Sequence, residues 1–330
     1  MVICTTTGYF ISVIGPYFAD SKNNDASILN HIIKSNVQSI REWVHESDVF
    51  IVDRGFRDSL DMLEDLGIKA KMPCFMRKGD KQMPVQDANA SRLVTKVRWV
   101  VESANARIKR WRYLASTLPT NQVRNIGQYV RIVCALSNRY LPPLSPGKED
   151  DVILAAKMKH LSTQDNLLQR HIEDKSLHRL SAKWQEADTL EDFPRLNEVD
   201  LRNLTCGTYQ LKLCSSYMQE HIEGDASIHI SKEDHGFIRV KLQSRHVTSK
   251  QYIVWVKYGK GEVMSSYCKC RAGARTVGMC SHRAAVIWYL GYARHLDNYN
   301  YGVTDWGEDL QDAATSIIDE SDTDESVVEE

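Results

Sequence analysis

The chain has 330 residues, 42% hydrophobic and 26% charged, which is enough for two domains with sizeable cores and argues against general disorder. Its net charge of −1 hides an asymmetry: 11 of the 43 acidic residues lie between Asp305 and Glu330, a stretch without Lys or Arg, so residues 1–304 carry 42 basic against 32 acidic side chains. A basic body with an acidic tail fits a polyanionic partner for which the tail competes, and equally an ordinary surface with a solubilising tail. The eight cysteines form no secreted disulfide framework, and no run reaches the roughly 18 apolar residues of a membrane span, so an intracellular protein is expected.

Residues 1–17 read as a β-hairpin turning at Thr7-Gly8 rather than a signal peptide, because a basic leader and a continuous apolar core are both missing. After a polar loop, Asp25 or Ser27 is expected to cap a helix that starts at ILNHIIK and continues through VQSIREWV. A short buried strand, Phe50-Ile51-Val52, stops at Asp53, followed at once by Arg54 and Gly55. A strand-end aspartate serves either as a turn or helix cap or as a metal ligand. A helix near SLDMLEDLG and a strand over IKAKMPCF come next.

The strongest helical pattern runs from about Ala90 to Leu114, with Leu93, Val94, Val97, Val100, Val101, Ala104, Ile108 and Trp111 at helical spacing and Trp111 expected in the core. Beside that stripe, Arg98, Glu102, Asn105 and Lys109 form a polar ridge. The ridge is either a solvated face with an i,i+4 ion pair or a carrier of Glu102 back toward the strand end. A second helix spans Val123 to Asn138, and LPPLSPGKED (residues 141–150) marks a boundary. Residues 151–222 look helical and connective. From Ala226 the segments ASIHIS, GFIRVKL, QYIVWVKYG and GEVMSSYCKC alternate as strands. The segment FPRLNEVDLRNL reads as a capped helix, and His221, His235 and His246 are scattered.

FIVDRGFRD together with RWVVESANARIKRWRYL resembles the DDE transposases, metal-dependent nucleases of the ribonuclease H-like superfamily, and within them the Harbinger-type group; GPYFADSKNNDASIL adds to the likeness, which covers about residues 1–140. The resemblance implies Asp53 and Glu102 as catalytic ligands of Mg²⁺ or Mn²⁺, with phosphodiester cleavage as the reaction. It also implies Arg54, Arg98, Arg107, Lys109 and Arg110 on the DNA-facing surface. The family's first aspartate sits on a strand that precedes the segment matching MVICTTTGYF, so the resemblance supplies two ligands of three, and an N-terminally incomplete nuclease domain is expected. The alternative is a catalytically inactive zinc-dependent protein that binds DNA or another protein.

CKCRAGARTVGMCSH places Cys268, Cys270, Cys280 and His282 in a C-x-C, nine residues, C-x-H pattern. Three thiolates and an imidazole make a closed tetrahedral zinc site with no open position, hence structural. The other reading is three buried cysteines and a surface histidine. Ser281 is expected to cap the following helix, and Arg271, Arg275 and Arg283 either contact phosphate or are merely exposed. Cys206 and Cys214 are not expected to be ligands. The spacing resembles a SWIM-type zinc finger, which implies binding to DNA or protein and, for the whole chain, a nuclear location, with neither a membrane nor a small-molecule cofactor involved.

The expected architecture is therefore α/β: a partial ribonuclease H-like domain over 1–140, a linker and helical connector over 141–225, a small β-rich zinc-binding module over 226–295 and an acidic disordered tail over 296–330. Loss of Cys268 or Cys280 is expected to unfold the zinc module and leave residues 1–140 unaffected.

Overall fold

The computed structural model describes residues 1–145, 147, 149–178, 183–186, 190–207, 210–215, 227–243 and 250–296; His221, His246 and the acidic residues from 305 onward lie outside the described residues. The hairpin is present: β1 (Val2–Cys4) pairs antiparallel with β2 (Phe10–Val13), and Gly8 takes the left-handed backbone of its turn. The edge of β2 is closed from the far end of the domain. Asn138 accepts from the Phe10 N–H at 2.9 Å and donates to the Phe10 carbonyl at 2.9 Å, standing in for a neighbouring strand.

Helix α1 (Asp25–Lys34) is capped by Asn24, whose side chain accepts from the Ser27 N–H, rather than by Asp25 or Ser27. It does not run on through residue 44. Asn36, Gln38 and Ser39 adopt left-handed backbone conformations and separate it from α2 (Ile40–Trp43). The break is held by polar bonds that periodicity does not register: Ser12 donates to the Gln38 side chain at 2.6 Å, and Asn36 accepts from the Arg41 N–H at 3.0 Å. Strands β3 (Val49–Ile51) and β4 (Lys69–Lys71) are parallel and joined by α3 (Leu60–Asp65), a βαβ unit. Ile14, Leu29, Ile32, Ile33, Ile40 and Leu63 form the core beneath it.

Helix α4 (Val85–Lys109) begins five residues before Ala90, with Pro84 at its N-cap, and gives way to the short α5 (Arg112–Ala115). Its buried residues Ala104 and Ile108 meet Phe10, Val133 and Cys134, which joins it to the hairpin and to α6 (Val123–Tyr140). Trp111 is not core: it lies past the end of α4 and is 44% exposed.

The second half contains α7 (Glu149–Ser162), α8 (Leu167–Asp174) and α9 (Glu198–Thr205), the last opened by a capping box between Asn197 and Asp200. A five-stranded antiparallel sheet follows in the order β5 (Trp184–Glu186), β6 (Ser227–Ser231), β7 (Phe237–Gln243), β8 (Gln251–Gly259) and β9 (Glu262–Cys268). Strand β5 comes from the stretch read as helical. It is only three residues long, too short to show alternation. Both faces of the sheet are covered: Ile238, Val240, Val254 and Val256 pack against α10 (Ser281–Gly291), while Phe237, Trp255 and Tyr267 pack against Trp184 and α8. Arg239 is buried with its guanidinium 4.8 Å from the Trp184 ring, a cation–π contact. The described chain is thus mixed α/β, with a β-rich C-terminal region.

Candidate functional site

Pairing beyond β3 continues through Val52, whose N–H donates to the Lys71 carbonyl, and the chain then turns at Asp53. The two oxygens of Asp53 have different partners. Oδ1 accepts from the Arg54 N–H at 2.7 Å and caps the 3-10 turn Arg54–Ser59, while Oδ2 faces α4 and accepts from Arg98 Nη1 at 2.8 Å. Arg98 Nη2 lies 2.8 Å from Glu102 Oε1, the i,i+4 pair of the polar ridge. A strand end and a helix therefore bring the two predicted carboxylates onto one guanidinium. Asp25 approaches the same turn: a Cβ on Gly55 would lie 2.6 Å from Asp25 Oδ2, so the glycine leaves room for that carboxylate. Among the described residues, no third acidic, His or Cys group joins Asp53 and Glu102 in a metal-sized cluster.

The proposed DNA-facing cations divide into two sets. Arg54 donates to the Pro73 and Cys74 carbonyls and lies over the Phe75 ring, Arg107 donates to the Pro142 carbonyl at 2.6 Å, and Arg98 bridges the carboxylates. These three have partners within the fold. Lys109 and Arg110 are exposed and, among the described residues, make no side-chain hydrogen bond or ion pair. With exposed Trp111, Arg112 and Tyr113 they form a surface of three cations and two aromatic rings.

The second site lies where β9 meets α10. Strand β9 delivers Cys268, a tight loop delivers Cys270, and Cys280 and His282 open the helix. The four ligand atoms lie within 4.8 Å of one another, with Cys268 Sγ 3.8 Å from His282 Nδ1. Donors this close could hold one metal ion, zinc among them. The N-cap is Cys280 itself, not Ser281: its sulfur accepts from the Arg283 N–H at 3.5 Å, so the helix start favours the thiolate. Burial raises the Cys268 thiol. Burial also opposes ionisation of Cys280, yet hydrogen bonds from Cys268, Cys270 and His282 hold it well below the usual thiol range. Three sulfurs and an imidazole nitrogen are a donor set suited to a cation such as zinc.

Arg283 is turned inward, away from any phosphate, while Arg275 is half-buried. Arg283 is buried and donates to the Ser266 hydroxyl and to the Gly273 and Arg275 carbonyls, closing the cysteine loop from inside. Burial pushes Arg275 down to about 10. Arg271 alone remains exposed. Cys206 and Cys214 lie outside the cluster, and burial pushes Cys214 up to about 12. Gly273 permits the tight return of the loop, since a Cβ there would overlap the Cys268 carbonyl oxygen. Gly273→Ala is therefore expected to speed zinc loss to a chelator, measured as metal content over time. Retention equal to the parent chain would contradict that role for the loop.

Two residues absent from the sequence reading connect the sites. Gln82 donates to the Cys268 and Cys270 carbonyls at 2.7 Å each and accepts from the Tyr267 hydroxyl at 2.7 Å. Asn89, 1% exposed on α4, accepts from the Thr276 and Val277 N–H groups and donates to Thr276 Oγ1 and the Ser162 carbonyl. The cysteine loop thus grips the N-terminal half of the helix that carries Arg98 and Glu102, about 20 Å further along at 1.5 Å per residue. Asn89 stands just before the helical pattern that starts near Ala90, so neither residue carried a signal in the sequence.

Residues 1–138 match the family described as DDE superfamily endonuclease, which supports a DDE transposase-derived protein. The matched segment contains both carboxylates and ends at the Asn138 that clasps β2. No curated protein and no solved structure matches the chain. Among the described residues, no helix is long and apolar enough to cross a membrane.

Proposed function

We propose that the chain derives from a Harbinger-type DDE transposase, with a ribonuclease H-like domain over about 1–140, a helical connector and a SWIM-type zinc finger. The observation that carries the reading is the meeting of Asp53 and Glu102, from a strand end and a helix inside the family-matched segment, on one cation. Two carboxylates offer hard oxygen donors suited to Mg²⁺ or Mn²⁺. When bound, such ions supply activation of a water or 3′-hydroxyl and stabilisation of the leaving oxygen. Of this chain's own residues, Asp53 and Glu102 hold the cation, and the Asp53 cap on the 3-10 turn keeps its second oxygen aimed at α4. Lys109, Arg110 and Arg112 neutralise backbone phosphates, and Trp111 lies open to a base. Cys268, Cys270, Cys280 and His282 hold structural zinc, and the zinc finger is the site for a protein or DNA partner. DNA as the substrate implies a nuclear protein.

A second reading, an inactive zinc-dependent DNA- or protein-binding protein, is favoured by Arg98, which already bridges the pair, and by the lack of a third carboxylate beside it among the described residues. Nicking of supercoiled DNA in Mn²⁺ separates the two. The first reading expects nicking that falls at least ~100-fold in Asp53→Asn or Glu102→Gln, the scale lost when a positioned catalytic group is removed. Absent or variant-insensitive nicking leaves the second. DNA affinity under either reading is expected to fall steeply with salt, and a flat salt response in a binding titration would remove DNA as the partner.

A further inference from the structure

We infer that Arg98 is an internal counter-cation that occupies the place of a divalent ion between Asp53 and Glu102 and is displaced when such an ion binds. The inference rests on the reading of these two carboxylates as metal ligands and adds a residue that sets how tightly they bind. Arg98 sits one helical turn before Glu102, on the same face of α4. Its guanidinium is divided between the carboxylates, with Nη1 2.8 Å from Asp53 Oδ2 and Nη2 2.8 Å from Glu102 Oε1. Neither carboxylate receives the two parallel bonds of a bidentate pair, the strong form of this contact.

Exposure shows from which side an ion would arrive. The Arg98 side chain is 25% exposed, whereas those of Asp53 and Glu102 are 52% and 64% exposed. The guanidinium lies on the protein side and the carboxylates open to solvent. Ion pairs this exposed hold weakly, so the arrangement is displaceable. Among the described residues Arg98 Nε is buried without a hydrogen-bond partner, so the two carboxylate contacts are the polar bonds that the side chain gives up when it moves. A dication beside an unmoved guanidinium would meet direct charge repulsion. The two cations therefore compete for one pair of anions. A displaced guanidinium presents its forked donors to solvent, the geometry that takes phosphate oxygens.

The test is a Mn²⁺ titration of the full zinc-loaded chain, following the free-ion signal by electron paramagnetic resonance. Arg98→Gln is expected to bind Mn²⁺ about tenfold more tightly than the parent, the size of effect that two partly exposed ion pairs provide. The gain should vanish when Asp53→Asn and Glu102→Gln are added. Arg57→Gln, which removes a nearby exposed cation paired with Asp58, is expected to leave the affinity unchanged. Arg98→Lys retains the charge without the fork and should gain less, and it serves as the second variant where the glutamine form folds poorly. If the Arg98 variants bind Mn²⁺ no better than the parent while binding still depends on Asp53 and Glu102, the counter-cation idea is overturned and the metal-ligand reading stands. An equal gain in Arg57→Gln overturns it as a general charge effect. Carboxylate-independent binding throughout removes both.

Discussion

Cys280→Ser is expected to abolish zinc retention and to loosen more than the C-terminal module. A structural zinc site contributes roughly 10–16 kcal/mol of apparent binding free energy in finger peptides, against the roughly 5–15 kcal/mol that separates a typical folded domain from its unfolded chain. Removing one of four ligands therefore puts the whole cysteine loop at risk. The loop does not stand alone. Its Cys268 and Cys270 carbonyls receive the Gln82 side chain, the Arg271 carbonyl receives the Met83 N–H, and Thr276 and Val277 donate to Asn89. The expectation that loss of a cysteine spares residues 1–140 is accordingly revised: residues 82–96 should lose amide protection together with the module. Metal content should fall from one zinc per chain to none, and hydrogen exchange should report the spread into α4. Unchanged exchange across 82–96 in the zinc-free variant would show that the contact is too weak to couple the two regions.

Asn89→Ala should have the second largest effect, although the residue is neither a carboxylate of the first site nor a ligand of the second. Its removal takes the acceptor from two backbone N–H groups, those of Thr276 and Val277, and the donor from the Ser162 carbonyl and the Thr276 hydroxyl. Buried donors left unpaired cost about 1–3 kcal/mol each, so a loss of roughly 2–6 kcal/mol is expected in denaturant unfolding. Asn89→Asp keeps the acceptor and should recover part of the loss, offset by burial of a charge. A change under about 0.5 kcal/mol, the range of an indifferent surface substitution, would mean that water replaces the side chain without cost.

Much of the fold was legible because it depends on short-range pattern. The Thr7-Gly8 hairpin, the long helix through Glu102, the capped helix after Asn197 and the alternating strands after residue 226 all declare themselves by turn chemistry or period. Failures came where a distant bond overruled the local pattern. The helix expected to run through Val44 breaks because Gln38 and Asn36 are held by Ser12, Val13 and Arg41. Trp111 fits the apolar stripe by spacing, yet α4 ends at Lys109 and the ring turns outward. Arg283 read as a surface cation because nothing in its spacing indicates that the Gly273 and Arg275 carbonyls of a folded-back loop surround it.

The sequence by itself determined which residue types are available for chemistry and how closely they can meet within one segment. C-x-C and C-x-H put two pairs of ligands, each two residues apart, at a strand end and a helix start. The i,i+4 spacing of Arg98 and Glu102 likewise makes their ion pair nearly unavoidable on a helix. Only the tertiary structure decided the relations between segments. It closed the two ligand pairs into one cluster, turned Asp53 Oδ2 onto an arginine 45 residues away, and fastened the zinc loop to the helix carrying Glu102. The physical reason is that these contacts are directional polar bonds between residues far apart in the chain. Such bonds leave no period in the sequence and form only after burial of the apolar faces has fixed where each segment lies.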